Sequence, residues 1–382
     1  MPSVQQILQR HLETLRAERK LSAPQSRAAS ALAKCRTAAL GGHVQRCPNG
    51  HVERVWYNSC RHRSCPQCNG LARERWLEGM RARLVDCAHH HLVFTIDHAL
   101  NGLWMLNTAA MMSALFGAVQ GTLGTLLADP RYLGAQPGMM LALHTWGRAL
   151  PLHPHIHALV TDGGLGEDGQ WVKPKRSHFL PARVVMTLFR GKFLAALRRL
   201  HETGALRRPE GLSAERLTSL FNRVGRKKWN VRLCERYAHG RGVTTYLARY
   251  VKGGPLSNSQ IVRANDHEVV FAYTAHGEDG APGRGTTMTL SPTAFLARVL
   301  MHAPERGRQT VRYYGLYAHS CAGALAQARA ALGQAPLEAA APISWQGYLQ
   351  RLARACDHTR CPTCGASLIR GVLIAALGRA PP

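Results

Sequence analysis

The stretch His153-Pro154-His155-Ile156-His157 concentrates more chemistry than any other in the 382-residue chain. Side chains alternate across a β-strand, so in an extended conformation His155 and His157 share one face while Ile156 turns toward a core. Two imidazoles a pleat apart can chelate one divalent ion. Farther on, Tyr246-Leu247-Ala248-Arg249-Tyr250 sets two tyrosines at i and i+4, on one helix face with Cβ atoms about 6 Å apart. Lys252 follows near the C-terminal end of that helix. Alone, the histidine pair reads equally well as structural, and the tyrosine pair as core aromatics. Together they fit one chemistry, a tyrosine hydroxyl attacking a phosphodiester whose oxygens a metal polarises.

A second set of metal-binding residue types lies upstream: Cys35, His43, Cys47, His51, Cys60, His62, Cys65 and Cys68. Cys65-Pro66-Gln67-Cys68 is a tight knuckle whose sulfurs can face one ion, and zinc takes four such ligands in structural sites. Cys47 and His51 supply another pair. The simplest single site is therefore Cys47, His51, Cys65 and Cys68. Cys60 is the alternative to His51, and Cys35, His43 and His62 remain for a second ion. A closed site of this kind would position Arg54, Arg61 and Arg63. Near the end of the chain Cys356, His358, Cys361 and Cys364 place four ligands within nine residues, enough for a small zinc knuckle on a tail. Cys87, Cys234 and Cys321 stand apart and read as small buried hydrophobes. The N-terminal stretch, with Val4, Ile7, Leu8 and Leu15 at helical spacing, is an amphipathic helix and not a signal peptide. A cytoplasmic location with reduced thiols, and so metal ligation in place of disulfides, is the expectation.

The elements that must position these groups follow from periodicity. Helices are expected over 1–33, 71–87, 103–127 (ending at Asp129-Pro130), 181–203, 212–224, 239–253, 291–302 and 322–332. Strands are expected at 91–96, at 139–147 and from His153 to Gly164, and as shorter pieces at 260–263, 268–274 and 286–290. The segment 312–318 is rich in aromatics, and no internal repeat is visible. Strands among helices joined by short turns indicate an α+β sheet domain. The expected division is a helix and zinc-binding domain over 1–87, a catalytic domain over 88–320 and a helical tail over 321–382. Apolar stretches are interrupted before the roughly 18 residues that a bilayer span needs.

Forty-nine Lys and Arg against 22 Asp and Glu leave a net charge of +27 spread along the chain. Such a surface attracts polyanions, nucleic acid above all. Codon bias accounts for Arg in place of Lys but not for the scarcity of carboxylates.

His155-Ile156-His157 with Tyr246 and Tyr250 resembles the two-tyrosine HUH endonuclease superfamily. The text around them, CRTAALGGH, YNSCRHRSCPQC, HLVFTIDHALN, LPLHPHIHALVTDGGL, YLARYVKGGPLSN and VRYYGLYA, is similar to rolling-circle insertion-sequence transposases of the IS91 type. The resemblance runs from Cys35 to Tyr317. It implies an antiparallel-sheet core flanked by helices, preceded by a small zinc-binding domain. One departure stands out: Cys47-Pro48-Asn49-Gly50-His51 replaces the usual Cys-x2-Cys-Gly, making His51 the substitute ligand.

The resemblance also implies a mechanism. His155 and His157, with a third ligand among His91, His98 and His144, would hold Mg²⁺ or Mn²⁺. One tyrosine would form a 5′-phosphotyrosine and free a 3′-OH for host polymerase, while the second would handle another strand. No ATP is needed, and no Gly-rich phosphate loop is present. A tyrosine must reach an unobstructed phosphate, so single-stranded transposon ends and targets are the expected substrate. Arg61, Arg63, Arg226, Lys227, Lys228 and Lys252 are candidate DNA contacts. The basic helices 181–203 and 212–228 would track the backbone, with Trp229 as a stacking platform. Competing readings are a replication initiator or relaxase with the same chemistry, and a zinc-containing DNA-binding regulator without catalysis. In the second, the histidines and tyrosines would scatter in the fold. A histidine-metal hydrolase lacks a carboxylate base near His153–His157.

Overall fold

Ile156, Ala158 and Val160 alternate with His155, His157 and Leu159 along one strand, and this alternation decides how the central sheet is covered. The computed structural model of the chain describes residues 2–174, 179–239, 242, 248, 254–275, 283–338, 340–351 and 359–376. Its central sheet is antiparallel, with β3 (His89–Thr95), β4 (Gly138–Trp146), β5 (Leu152–Thr161), β8 (Val231–Tyr237) and β12 (Val311–Gly315) in the order β12-β4-β5-β3-β8. A short ribbon of β6 (Gly164–Leu165) and β7 (Trp171–Val172) follows β5.

One face of this sheet carries Leu92, Phe94, Leu141, Leu143, Ile156 and Val160 into a core shared with α5 (Thr108–Ala128), α6 (Ala182–Glu202) and α7 (Ala214–Arg226). On length and composition α5 could cross a bilayer, which corrects the sequence expectation. In the fold its Met111, Leu115, Phe116, Val119 and Leu123 are fully buried against the sheet and α6. Each such side chain contributes about 1.5–3 kcal/mol on leaving water. The expected helix over 103–127 is in fact two, α4 (Asn101–Leu106) and α5, joined at Asn107, whose side chain bonds the Leu103 and Arg207 carbonyls. The opposite face presents Met140, Ala142 and Leu159 to α3 (Gly70–Arg83), to α9 (Ala322–Ala331) and to Tyr317.

The N-terminal helix expected over 1–33 is also two helices, α1 (Val4–Glu18) and α2 (Ala23–Lys34). Each begins with a capping box, Ser3 with Gln6 and Ser22 with Gln25, and Pro24 occupies the first turn of α2. Their apolar faces pack on α8 (Pro292–Met301) and on a sheet of β9 (Ile261–Ala264), β10 (Val269–Thr274) and β11 (Gly285–Leu290), ordered β11-β10-β9. Thus Leu8 and Leu15 share a core with Phe271 and Phe295.

A third sheet was not expected from the sequence. β1 (Gly42–Arg46) and β2 (Glu53–Tyr57) form a hairpin, and β13 (Ile369–Ile374) pairs antiparallel along β1. The segment read as a helical tail therefore holds α9, the short α10 (Trp345–Arg351) and a strand bound to the N-terminal region.

Candidate active site and metal centres

The register of β4 on β5 sets His144 opposite His155, with His157 a pleat farther along the same face. His144, His155 and His157 each offer a ring nitrogen, and the three atoms lie within 4.8 Å of one another. His155 Nε2 and His157 Nε2 are 3.1 Å apart. Next to this point the register slips: His144 faces His155 but Trp146 faces Leu152, so β5 carries an extra residue beside Pro154. Bulges and prolines interrupt a ladder together, and here the interruption lies one step from the histidines.

A hydrogen bond assigns the tautomer of His155 and constrains that of His157. His155 Nδ1 lies 2.6 Å from the His153 carbonyl, which can only accept, so Nδ1 carries the proton and Nε2 a lone pair. His157 Nδ1 lies 2.8 Å from His91 Nε2, and in the tautomer in which His157 donates there its Nε2 lone pair faces that of His155. Two facing lone pairs suit a shared cation. A proton is disfavoured there: burial pushes His155 down to about 4 and His144 and His157 well below the ordinary histidine range, with neighbouring imidazoles adding to the effect. Neutral imidazole is the metal-binding form, so the donor set fits a metal.

Of the three candidates for a further ligand, His144 is the one that converges. His91, on β3, is held neutral at about 4 by burial and then by Arg232, and it stands behind His157 as an orienting group. His98 Nε2 pairs instead with His153 Nδ1 at 2.9 Å, on the exposed side.

A cavity of about 290 Å³ opens alongside β4, bordered by Thr145, Trp146, Arg63, Arg207, Arg308 and Gly254. The Trp146 ring stacks on His144 at 5.0 Å. Burial draws the Arg63 guanidinium down to about 10, and it donates to the Thr310 hydroxyl, so Arg63 faces inward. Tyr246, Tyr250 and Lys252 lie outside the described residues. Within the stretch expected as a helix over 239–253, Gly242 and Ala248 are helical, and Ala248 is buried. Beyond it, Gly254 runs so close to the cysteine segment that a Cβ would stand 2.6 Å from the Ser64 carbonyl oxygen.

The cysteines group differently from the sequence expectation. Cys35, Cys60, Cys65 and Cys68 form one cluster, while Cys47 and His51 join Cys361 and Cys364 in another, each with ligand atoms within 4.8 Å. The expected set of Cys47, His51, Cys65 and Cys68 is therefore split. The cause is the hairpin: Cys47 and His51 lie at its tip, whereas Cys35 and Cys60 flank its base. Five residues of strand separate tip from base by about 15 Å, too far for one ion. His43 and His62 belong to neither cluster; His62 Nδ1 accepts from the Ser64 amide. Cys356 and His358 lie outside the described residues. In the first cluster Cys35 and Cys65 sulfurs are 3.5 Å apart and those of Cys60 and Cys68 3.7 Å. A zinc tetrahedron with 2.3 Å bonds needs about 3.8 Å. Cys87, Cys234 and Cys321 are half-buried and not fully buried as expected.

Among the expected DNA contacts, Arg61, Arg226, Lys227 and Lys228 are exposed, and Lys227 pairs with Asp97 at 3.4 Å. Arg54, on β2, is half-buried. Trp229 is not a stacking platform: it is 4% exposed and packs edge-on against Phe189 and Phe193 in the main core.

Residues 138–324 match a family model described as "Putative transposase", and residues 7–96 match one described as "Transposase zinc-binding domain". The chain is 37% identical over 375 residues to "Putative transposase y4qJ" of Sinorhizobium fredii, covering 95% of this chain and 93% of that protein. It is 31% identical over 356 residues to "Transposase for insertion sequence element IS801" of Pseudomonas savastanoi pv. phaseolicola, covering 90% and 82%. No solved structure matches.

Proposed function

The chain belongs to the insertion-sequence transposases of the IS91 type, and on that premise we propose that it nicks and rejoins single-stranded DNA ends through a tyrosine nucleophile. The observation that carries this reading is the convergence of His144, His155 and His157 on one face of an antiparallel sheet, with neutral imidazoles aimed at a common point. A regulator without catalysis gives no reason for three buried histidines to meet there.

His144, His155 and His157 would hold the divalent cation, and His91 would fix the tautomer of His157. Once bound, the cation would draw charge from the non-bridging oxygens of the scissile phosphate. The hydroxyl oxygen of Tyr246 or Tyr250 attacks phosphorus. The new bond is tyrosine O–P and the bond lost is P–O3′, whose oxygen takes up a proton. The products are a 5′-phosphotyrosine and a free 3′-OH, which host polymerase can extend. The ester conserves the phosphodiester's energy, and attack by a 3′-OH reverses the step at a target, with the other tyrosine serving a second strand. The cavity beside Trp146 suits an unpaired nucleotide, with Arg207 and Arg308 on its walls for the backbone charge. An all-imidazole donor set favours Mn²⁺ over Mg²⁺, which prefers oxygen ligands. Cys35, Cys60, Cys65 and Cys68 would hold structural zinc in the zinc-binding domain.

The test is incubation of the protein with labelled single-stranded DNA from the element's own ends, with Mn²⁺ or EDTA. A metal-dependent covalent protein–DNA adduct is expected, lost in the Tyr246→Phe/Tyr250→Phe double variant and in His157→Ala. Tight binding without an adduct on any end sequence would overturn the assignment in favour of a DNA-binding regulator.

A further inference from the structure

Cys47 and His51 sit at the tip of the β1–β2 hairpin, and Cys361 and Cys364 reach that tip from the opposite end of the chain. We propose that these four residues hold a second zinc ion, a clasp that fastens the C-terminal segment onto the N-terminal hairpin. Neither matched family segment, 7–96 nor 138–324, includes the C-terminal pair.

The donor set is three sulfurs and one imidazole. Cys47 Sγ lies 3.5 Å from Cys364 Sγ and 3.8 Å from His51 Nδ1. Those separations approach the edges of a zinc tetrahedron, about 3.8 Å between sulfurs and slightly less to nitrogen. No disulfide links them. Both half-sites are tight loops closed by a glycine amide. Gly50, at φ 77°, donates its amide to the Cys47 carbonyl, and Gly365, at φ 71°, donates to the Cys361 carbonyl. Left-handed glycines allow each loop to turn its ligands inward. The sulfurs also receive hydrogen bonds: the Asn49 amide donates to Cys47 at 3.4 Å and the Asn49 side chain to Cys364 at 3.5 Å. Such donors stabilise thiolates at a metal centre.

The fold supplies the need as well as the ligands. Cys47 and Cys364 are 317 positions apart, and the strand that follows the second has little core of its own. On β13, Val372 is 72% exposed, Leu373 70% and Ile369 50%. Strand pairing without apolar burial is a weak fastening, and small units of this kind depend on metal or disulfide staples. The antiparallel register closes the geometry: Arg46 opposite Ile369 places the residues just before β13 at the hairpin tip.

The full-length chain tests this. Metal analysis should give two zinc ions per chain, falling to one in Cys361→Ser/Cys364→Ser, with Cys35, Cys60, Cys65 and Cys68 unaltered. The unmutated chain provides a second readout that does not depend on how a variant folds. Under graded chelation, Cys47, Cys361 and Cys364 should become open to alkylation together, in a step separate from the other four cysteines. Unchanged zinc in the double variant, or alkylation of Cys361 and Cys364 while Cys47 stays protected in the unmutated chain, would overturn the clasp.

Discussion

Which nitrogen His157 can offer to an ion depends on His91, 2.8 Å behind it. Removing such an orienting partner typically costs 10–100-fold in metal affinity without touching the ligands themselves. His91→Phe should therefore raise the Mn²⁺ concentration for half-maximal nicking by about that factor and leave the rate at saturating metal nearly intact. An unchanged metal titration would remove His91 from the site. Acidity is a separate matter, to which buried histidines away from the ligands also contribute. Burial holds His89 and His302 at about 4, against about 6.5 in an unfolded chain. Between those values the unfolded chain binds more protons, so stability rises with pH through that window and is fully present above about 6.5. One such group loses about 2 kcal/mol between pH 6.5 and 5. Denaturant midpoints should fall on acidification, and less steeply in His302→Asn; parallel curves would refute the account. At this scale His155 and His157 are legible in the sequence because a strand has period two. His144 is legible only as one of three candidates, because what selects it is the register of β4 on β5, which no local pattern encodes. Trp229 misleads for a related reason: it follows three basic residues, yet its ring turns into the core.

Elements whose pattern is local are the ones the sequence reveals. The apolar runs of β3, β4 and β5 and the helical period of α6 and α7 stand within a few residues of their expected bounds. β1, β2 and β8 escape because GHVQR, ERVWY and VRLCERY mix polar and apolar residues without a clean two-residue alternation, and β13 finds its partner at the far end of the chain. That hairpin is also why sequence spacing groups the candidate metal ligands differently from the fold: spacing measures contour length, whereas a strand holds its ends apart. The same scale governs the exit from the tyrosine segment. Gly254 lets the backbone pass Ser64 with no room for a Cβ, so Gly254→Val must push the two segments apart. Adduct formation in this variant should drop at least tenfold while zinc content stays at the wild-type level. Full activity would mean that the Gly254–Ser64 approach plays no part in positioning the nucleophile. Trp229→Ala, by contrast, should cost about 3–5 kcal/mol of stability with DNA affinity unchanged in the folded protein.

Across the whole molecule, the order of the sequence and the order of the fold part company. α1 and α2 precede the cysteine segment in the chain but pack on residues 261–301, and the C-terminal strand closes on β1. What composition does convey at this scale is charge, and it leads to a measurable expectation about substrate. An excess of +27 attracts any polyanion, yet only cations that touch phosphates release counterions, each lowering the slope of log affinity against log salt by about 0.7 for a single strand. Arg226, Lys227 and Lys228 are exposed at the C-terminal end of α7, but they are not equivalent. Asp97 stands 3.4 Å from Lys227 and offsets its charge, whereas no such carboxylate pairs with Arg226 or Lys228 among the described residues. If this corner tracks the backbone, Arg226→Ala/Lys228→Ala should flatten the slope by about 1.4, and Lys227→Ala by less than about 0.7. Fluorescence anisotropy with a labelled single-stranded oligonucleotide over a salt series reads both. A fall in affinity with the slope unchanged would mean that these side chains shape the surface without contacting phosphate. The strand path would then run past Arg207 and Arg308, which border the cavity beside Trp146.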